Sequence, residues 1–375
     1  MAIQLNFVSS MLILVLLSIS SVEGQGGGGG VLHCWMLAST SSQKIVIPKG
    51  IYFFKYSYLR WHCEGSGRPF ASNKPKWIAF NRIENLKLSS GGLFDGQRTI
   101  AYKKEGCKGH DYCASLPIVS HFLIEKNKQN LRFDFLTNAM IQDIITKNSK
   151  QFHVNVLGCK NITFEHFTIS ARDESPNPDG IHFGRSNGVN VLNSEIKTSD
   201  DCVSIGDGSK ILVINGVTCG PGHGISIASL GFKNCTMTNT SNGARIKSWA
   251  GAEPGTCSNI HFEDITMTNV SYTIIIDQKY CLWKKCKINE ESIVKLSNIS
   301  FKNIQGTSAR PKAVKIICSA TLPCENVEFV DIEIMHCGPT GPAVSQCLNV
   351  KPKVSGKQNP AACPTPIPAK PTSVA

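Results

Sequence analysis

The segment NITFEHFTIS, residues 161–170, contains the pattern that decides the fold. Its Asn is followed by alternating apolar residues at Ile162 and Phe164, then by a polar turn and a second alternating pair at Phe167 and Ile169. Short apolar runs of period two, broken by Asn, Gly and Ser, are typical of β-strands joined by turns. Because no window shows a sustained helical period, the sequence predicts an all-β protein.

The same unit returns along the chain, and its repetition separates two architectures. Further copies lie at residues 189–196, 211–217, 260–267, 299–304 and 327–334. A β-sandwich would need hairpin turns between neighbouring strands, whereas units repeated at the length of one coil indicate a solenoid. We therefore expect a right-handed parallel β-helix, in which an Asn at a turn stacks on the Asn of the next coil.

Four short motifs lie at a constant spacing in the middle of the chain. They are NPDG at residues 177–180, DD at 200–201, GHG at 222–224 and RIK at 245–247. From Asp179 onward the step is 22 residues each time (201 − 179, 223 − 201, 245 − 223). In a solenoid such a step places one turn position of successive coils in a column. Acids, a histidine and two cations are then expected to line one groove.

Three carboxylates in this set suit the hydrolysis of a glycosidic bond. Alone, the adjacent Asp200 and Asp201 would indicate a solvated turn, but Asp179 one coil away adds a third acid. Glycoside hydrolysis needs one carboxyl group that keeps its proton for the leaving oxygen, and ionised groups that activate water. Since neighbouring strand residues point to opposite sides, the backbone must turn or bulge for Asp200 and Asp201 to act together.

The RIK motif places two cations on one side of a strand. Arg245 and Lys247 are two residues apart, so they project together while Ile246 points into the core. A guanidinium fork beside an ammonium group can bind the carboxylate of an acidic sugar. A pair of solvated surface cations is the alternative interpretation.

Composition narrows the classes of partner. The 375 residues carry a net charge of +12 (39 − 27) with 18% charged residues. A basic protein of low charge density can attract nucleic acid, an anionic membrane or an acidic polysaccharide. No run rich in Lys and Arg is present, which argues against the first two.

Several features predict export from the cell. Sixteen cysteines indicate an oxidising compartment. An apolar core at residues 11–19 is followed by small residues at the positions that signal peptidase reads, so residues 1–24 are a predicted signal peptide. Five N-glycosylation sequons fit this route, at Asn161, Asn234, Asn239, Asn269 and Asn298. The Pro-rich residues 364–375 predict a disordered tail, which leaves 25–363 for the β-helix domain.

The motifs as written are similar to one enzyme family. SPNPDGIHFG, SDDCVSIGDGS, CGPGHGISIASLG and NGARIKSW resemble the polygalacturonases of glycoside hydrolase family 28, from about residue 77 to 363. Other stretches, such as VSYTIIIDQKYC, resemble plant pollen-type exopolygalacturonases in particular. The resemblance implies a monomer of the cell wall that binds homogalacturonan, the polymer of pectin, and hydrolyses it from one end with inversion. It also implies that no metal or cofactor takes part, and no nucleic acid or membrane partner.

The resemblance further implies a role for each matching residue. Asp200 would be the general acid, Asp179 and Asp201 would activate water, His223 would orient the acid, and Asn177 would support Asp179. Three residues would bind the sugar, namely Arg245, Lys247 and Tyr280. The implied disulfides are Cys202–Cys219, Cys318–Cys324 and Cys347–Cys363.

The chain also departs from that family. Pro178 replaces a Thr and removes a backbone N–H donor. Segments common in relatives are missing near residues 25–30, after Cys63 and between residues 230 and 234, whereas 119–130 is an insertion. We therefore expect a β-helix with missing coil segments, and three alternatives stay open: a pectin-binding protein without activity, an endo-acting enzyme, and a pectin lyase.

Overall fold

A computed structural model describes residues 31–35, 43–47, 51–53, 60–64, 78–96, 130–149, 152–171, 178–227, 231–281, 287 and 289–363. The chain divides into two units, residues 1–225 and 226–375. The predicted signal peptide, residues 25–30, the stretch after Cys63, the insertion at 119–129 and the Pro-rich tail lie outside the described residues. No helix in the described part of the chain is long and apolar enough to cross a membrane.

The described residues form short strands throughout. The first set is β1 (Val31–Trp35), β2 (Gln43–Ile47), β3 (Ile51–Phe53), β4 (Arg60–Glu64), β5 (Ile78–Asn81), β6 (Leu86–Ser90), β7 (Leu93–Asp95), β8 (Leu131–Asp134), β9 (Thr137–Gln142), β10 (Ile145–Lys147), β11 (Phe152–Leu157), β12 (Lys160–Glu165), β13 (Thr168–Ser170), β14 (Asp179–Gly184), β15 (Asn187–Leu192), β16 (Glu195–Lys197), β17 (Asp201–Ile205), β18 (Lys210–Asn215), β19 (Thr218–Cys219) and β20 (Gly224–Ile227). The second set is β21 (Gly231–Thr238), β22 (Asn242–Trp249), β23 (Gly255–Val270), β24 (Tyr272–Tyr280), β25 (Val294–Ser308), β26 (Lys312–Ile317), β27 (Glu325–His336), β28 (Val344–Leu348) and β29 (Lys353–Asn359).

In the first unit, the strands pair in parallel along three columns. The columns run β1-β4-β5-β8-β11-β14-β17, β2-β6-β9-β12-β15-β18 and β3-β7-β10-β13-β16-β19. In the second unit the order is β22-β24-β26-β28 and β21-β23-β25-β27-β29. Strands that return to the same column coil after coil define the right-handed parallel β-helix that the sequence predicts.

Apolar residues from successive coils fill the interior. The four apolar positions of NITFEHFTIS, Ile162, Phe164, Phe167 and Ile169, are at most 1% exposed. In the second unit phenylalanine rings stack along the column: centroids are 5.2 Å apart for Phe232–Phe262, 5.0 Å for Phe262–Phe301 and 5.2 Å for Phe301–Phe329. Large aromatic side chains bury much apolar area, so this column contributes strongly to the core.

Asparagines stack at the turns, as the repeat predicts. In the first unit Nδ2 of Asn161 donates to Oδ1 of Asn138 at 2.8 Å. In the second unit Asn298 donates to Asn259 at 3.3 Å, and Asn326 donates to Asn298 at 2.7 Å. These turn residues have positive φ, for example 50° at Asn326. Asn tolerates this left-handed region better than other non-Gly residues, which explains why it recurs.

The expected gap between residues 230 and 234 does not remove a strand from the second unit. Strand β21 pairs with β23 in parallel, with Phe232 opposite Phe262. Phe232 is 1% exposed, so it supplies the core contact of this coil. The stacked core of this coil is therefore intact.

Candidate active site

Asp179 lies at the start of β14 and faces away from the core. The next residue, Gly180, approaches its neighbours closely: a Cβ there would lie 2.3 Å from the carbonyl oxygen of Cys202 and 2.5 Å from Cγ2 of Ile196. Gly180 therefore faces inward where no side chain fits. Asp179 is directed to the other side, because it accepts a hydrogen bond from Ser204, whose neighbours Val203 and Ile205 point into the core.

Hydrogen bonds hold Asp179 and the residue before it. Oδ2 of Asp179 accepts a hydrogen bond of 2.7 Å from the hydroxyl of Ser204. Nδ1 of His182 lies 2.8 Å from that same hydroxyl oxygen. The carbonyl of Pro178 accepts a hydrogen bond from the hydroxyl of Thr198. The turn at Pro178 is thus anchored through its carbonyl, a bond for which the missing N–H is not required.

Asp200 is held by His223 and by the backbone. Its Oδ1 accepts the N–H of Asp201 at 2.8 Å and lies 2.6 Å from Nδ1 of His223. The N–H of His223 also donates to the backbone carbonyl of Asp200 at 2.7 Å. The described residues provide no hydrogen-bond donor to Oδ2 of Asp200, which is therefore the oxygen that can carry a proton toward a ligand.

The backbone turns between the two adjacent acids. Asp200 lies in a bend and Asp201 is the first residue of β17, so the alternation of a strand does not separate them. Carboxylate oxygens of Asp200 and Asp201 and a ring nitrogen of His223 lie within 4.8 Å of one another. These groups could ligate a cation, and they are equally suited to exchanging protons with a substrate.

The second unit contains the predicted cations. Ile246 is 1% exposed, which agrees with its predicted inward direction. The guanidinium carbon of Arg245 lies 5.0 Å from the ring centroid of Tyr280, and Nζ of Lys247 lies 5.4 Å from it. Both cations thus share one aromatic ring. Trp249 lies beside that ring at 5.1 Å between centroids and is 48% exposed.

Three of these residues were not predicted from the sequence. Ser204 donates a hydrogen bond to Asp179, and His182 contacts the hydroxyl of Ser204. Trp249 adds a ring to the cationic cluster, which consists of Arg245, Lys247 and Tyr280. A signal for the first two was present, because Ser204 follows His182 by the same step of 22 residues (204 − 182). The predicted supporting residue Asn177 lies outside the described residues.

The structure contains the disulfides that the resemblance implies. They are Cys202–Cys219, Cys318–Cys324 and Cys347–Cys363. The first follows Asp201 directly and joins β17 to β19. Cys159 stays a thiol, and burial raises its pKa to about 12. At neutral pH it is protonated and packs as a core residue, not as a nucleophile.

Comparison with known proteins identifies the family. The family model of glycosyl hydrolases family 28 matches residues 66–363. The chain is 50% identical to a polygalacturonase of Gossypium hirsutum over 419 positions, which cover 100% of both chains. It is 46% identical to an exopolygalacturonase of Oenothera organensis, covering 87% of this chain and 94% of that protein. The chain therefore belongs to glycosyl hydrolases family 28.

Solved structures agree on the fold. A polygalacturonase from Erwinia carotovora superimposes with a TM-score of 0.60 at 18% identity, covering 90% of this chain and 99% of that one.

The Gossypium hirsutum alignment also bears on the missing segments. Its 419 positions exceed the 375 residues of this chain, so at least 44 (419 − 375) have no counterpart here. This agrees with the expectation that this chain lacks segments that are present in relatives.

Proposed function

We propose that this chain is a secreted exopolygalacturonase that releases galacturonate from the end of homogalacturonan with inversion. The arrangement around Asp200 carries the proposal, because the N–H of Asp201 and Nδ1 of His223 both lie against Oδ1 and leave Oδ2 for the transferable proton. The names of the relatives support the substrate class, since they include polygalacturonases and an exopolygalacturonase at 46 to 50% identity. Three disulfides support an extracellular location.

Each acid then has one part in the reaction. Asp200 gives its Oδ2 proton to the glycosidic oxygen while the bond from that oxygen to the anomeric carbon breaks. A water molecule forms the new bond to the anomeric carbon from the opposite face, which inverts its configuration. The proton of that water passes to the carboxylate of Asp179 or Asp201, so a hydroxyl remains on the released sugar.

His223 keeps the acid in position. Its Nδ1 contacts the carboxyl group of Asp200 and its backbone N–H donates to the backbone carbonyl of Asp200, so His223 holds both the side chain and the main chain of the acid. The imidazole side chain is 46% exposed, whereas that of Asp200 is 12% exposed. A ligand can thus reach His223 more readily than the acid behind it, and we assign His223 to orienting the acid and its substrate.

The cations of the second unit provide the selectivity for an acidic sugar. Arg245 is 8% exposed, so a carboxylate that contacts it is attracted more strongly than it would be in open water. Its planar donors and the ammonium of Lys247 suit a two-pronged contact with that carboxylate. The rings of Tyr280 and Trp249 offer apolar faces to the sugar beside them.

Incubation with polygalacturonate tests the proposal. We expect galacturonate as the early product. Its release is measured by the appearance of reducing ends and by chromatography. Asp200→Asn should abolish this release, whereas Asp207→Asn, an exposed acid six residues after Asp201, should leave it unchanged. Mixed oligomers as early products would indicate an endo-acting enzyme, and a product with a ring double bond, detected by ultraviolet absorbance, would indicate a lyase.

One observation favours a second function. At least 44 positions of the Gossypium hirsutum polygalacturonase have no counterpart in this chain. A chain that kept the cationic cluster but lost the alignment of its acids would bind pectin without hydrolysing it. Salt-sensitive retention on immobilised polygalacturonate with no released sugar would establish that function in place of the enzyme.

A further inference from the structure

We infer that His182 and Ser204 are positioning residues that hold Asp179 in its ionised, water-activating form. The inference rests on the proposed function and assigns two residues that the four motifs do not include. It is carried by three side chains that are linked by hydrogen bonds. Nδ1 of His182 lies 2.8 Å from Oγ of Ser204, and this hydroxyl donates to Oδ2 of Asp179 at 2.7 Å.

Strand pairing brings the three groups together. His182 on β14 is directly opposite Ser204 on β17 in the parallel register. Asp179 reaches the same side because Gly180 faces the core and interrupts the alternation. Ser204 is 8% exposed, so its hydrogen bonds are largely shielded from water and correspondingly stronger.

Counting protons fixes the direction of the chain of hydrogen bonds. An ionised carboxylate can only accept, so the single proton of the Ser204 hydroxyl goes to Asp179. The Ser204 oxygen then accepts from His182, which requires the proton of the imidazole on Nδ1. If Asp179 were protonated instead, it could donate to Ser204, and Ser204 could donate to a bare Nδ1. A bare Nδ1 on His182 is therefore incompatible with a Ser204 hydroxyl that donates to an ionised Asp179.

A stacked ring and uncharged neighbours surround the imidazole of His182 on β11. The ring of Phe152 stacks on His182, with centroids 4.8 Å apart and planes at 20°. On β11 the residues paired with Asp179 and His182 are Phe152 and Asn155, both uncharged. On β17 the charged residue is Asp201, whose repulsion opposes the ionisation of Asp179. A donated hydrogen bond from Ser204 offsets that repulsion.

Two substitutions of His182 separate this role from simple packing. His182→Asn keeps an N–H near the position of Nδ1 but loses the stacked ring, whereas His182→Phe keeps a stacked ring and loses the donor. We expect kcat on polygalacturonate to fall roughly tenfold for His182→Phe and less for His182→Asn, as for one lost bond to a charged group. A packing role predicts the reverse order.

Ser204 gives a second, independent test. Ser204→Ala should lower kcat by roughly tenfold with little change in KM, and Ser204→Thr, which keeps the hydroxyl, should restore most of it. The acidic limb of the kcat profile should move to higher pH in Ser204→Ala, because a carboxylate without its donor binds a proton more readily. Unchanged kinetics in both Ser204→Ala and His182→Phe would overturn the inference.

Nitrogen NMR of the His182 ring keeps this inference separate from the proposed function. In the wild-type protein at neutral pH we expect the proton on Nδ1, and its signal should change in Ser204→Ala. A wild-type protein that releases no galacturonate would defeat the proposed function alone, and the tautomer would still be measured. An Nε2-protonated neutral ring in the wild-type protein would overturn the inference whether or not the protein is active.

Discussion

Nδ1 of His223 lies 2.6 Å from Oδ1 of Asp200, and the backbone N–H of His223 donates to the carbonyl of Asp200. One residue thus contacts both the side chain and the main chain of the acid. Gly222 permits this approach, since a Cβ there would lie 2.6 Å from the carbonyl oxygens of Asp200 and Thr198. In the GHG motif, Gly222 therefore allows the close backbone contact and His223 supplies the imidazole.

Removing this imidazole should slow catalysis without weakening binding. His223→Ala leaves the Asp201 N–H as a donor to Asp200 but removes the contact at 2.6 Å. We expect kcat to fall by roughly 10- to 100-fold with KM nearly unchanged. His166→Ala is a matched control, because His166 lies 3.2 Å from Asp143 in an exposed pair. A raised KM at constant kcat would instead assign His223 to substrate binding alone.

The cationic cluster should distinguish free from esterified pectin. Lys247→Ala should reduce turnover of unesterified polygalacturonate by about tenfold, since it removes a cation from the carboxylate. The loss should be smaller on methyl-esterified pectin, which has no anion there. Lys233→Ala, an exposed lysine paired with Glu263 at 3.3 Å, should change neither. Equal, small effects of Lys247→Ala on both substrates would contradict a carboxylate contact.

Arg245 should not be replaceable by the other common cation. Arg245→Lys keeps the charge but loses the planar pair of donors and the stacking over Tyr280. We expect kcat/KM on polygalacturonate to fall by at least about tenfold, although folding is preserved. Activity equal to wild type would show that charge alone is sufficient at this position.

The asparagine stack should contribute to stability through the backbone and the side chain. Asn326 has φ of 50° and donates to Asn298 at 2.7 Å. Asn326→Ala should lower the free energy of unfolding by about 1–3 kcal/mol, because Ala tolerates positive φ poorly and the hydrogen bond is lost. Asn326→Gly should recover part of the loss, since Gly accepts that φ. Thermal unfolding measures the stability of both variants, and Asn187→Ala, at an exposed residue, is the control. An equal loss of stability in Asn326→Ala and Asn326→Gly would contradict the backbone explanation.

One acidic residue should make stability depend on pH. The hydrogen bond from Lys279, at 2.9 Å, and a second from the N–H of Ala320 lower the pKa of Glu291. A carboxyl whose pKa is lower in the folded state stabilises it above the unfolded pKa, and this is lost as pH falls through the folded pKa. Since the pair is partly exposed, we expect only about 0.5 kcal/mol.

Chemical unfolding at neutral pH and near pH 3 measures this contribution. Glu291→Gln should be less stable than wild type at neutral pH, and the difference should shrink in acid. Glu253→Gln, at an exposed acid with no ion pair in the described part of the chain, should show no such trend. A difference that stays constant or grows in acid would contradict the assignment.

The sequence predicts the β-helix and the proximity of Asp200, Asp201 and His223, for a physical reason. Alternating apolar residues and turn asparagines are local signals, and each coil repeats them, so the step from Asp179 to Asp201 reappears as the offset of Ile181 opposite Val203. The direction in which a side chain points is harder to predict, because it depends on residues of the neighbouring coil. That Asp179 and His182 share a side depends on Gly180 facing the core against Cys202, which requires the neighbouring coil to be in place.

The cationic cluster shows the same division. The inward direction of Ile246 follows from alternation alone. Tyr280 was predicted from the family resemblance, and Trp249 was not predicted, because a register shift between Lys247 and Trp249 places it opposite Tyr280. An irregularity of this kind has no signature in the local pattern of residues.

The role of Asp200 as the proton donor is tested most directly by changing what leaves the sugar. Dinitrophenolate departs without a proton, whereas the oxygen of the natural chain requires one. For Asp200→Asn we predict a loss of roughly 10²- to 10⁴-fold in kcat on polygalacturonate, and less than about tenfold on a dinitrophenyl α-galacturonide, relative to wild type on each substrate. An equal loss on both substrates would contradict the assignment of Asp200 as the general acid.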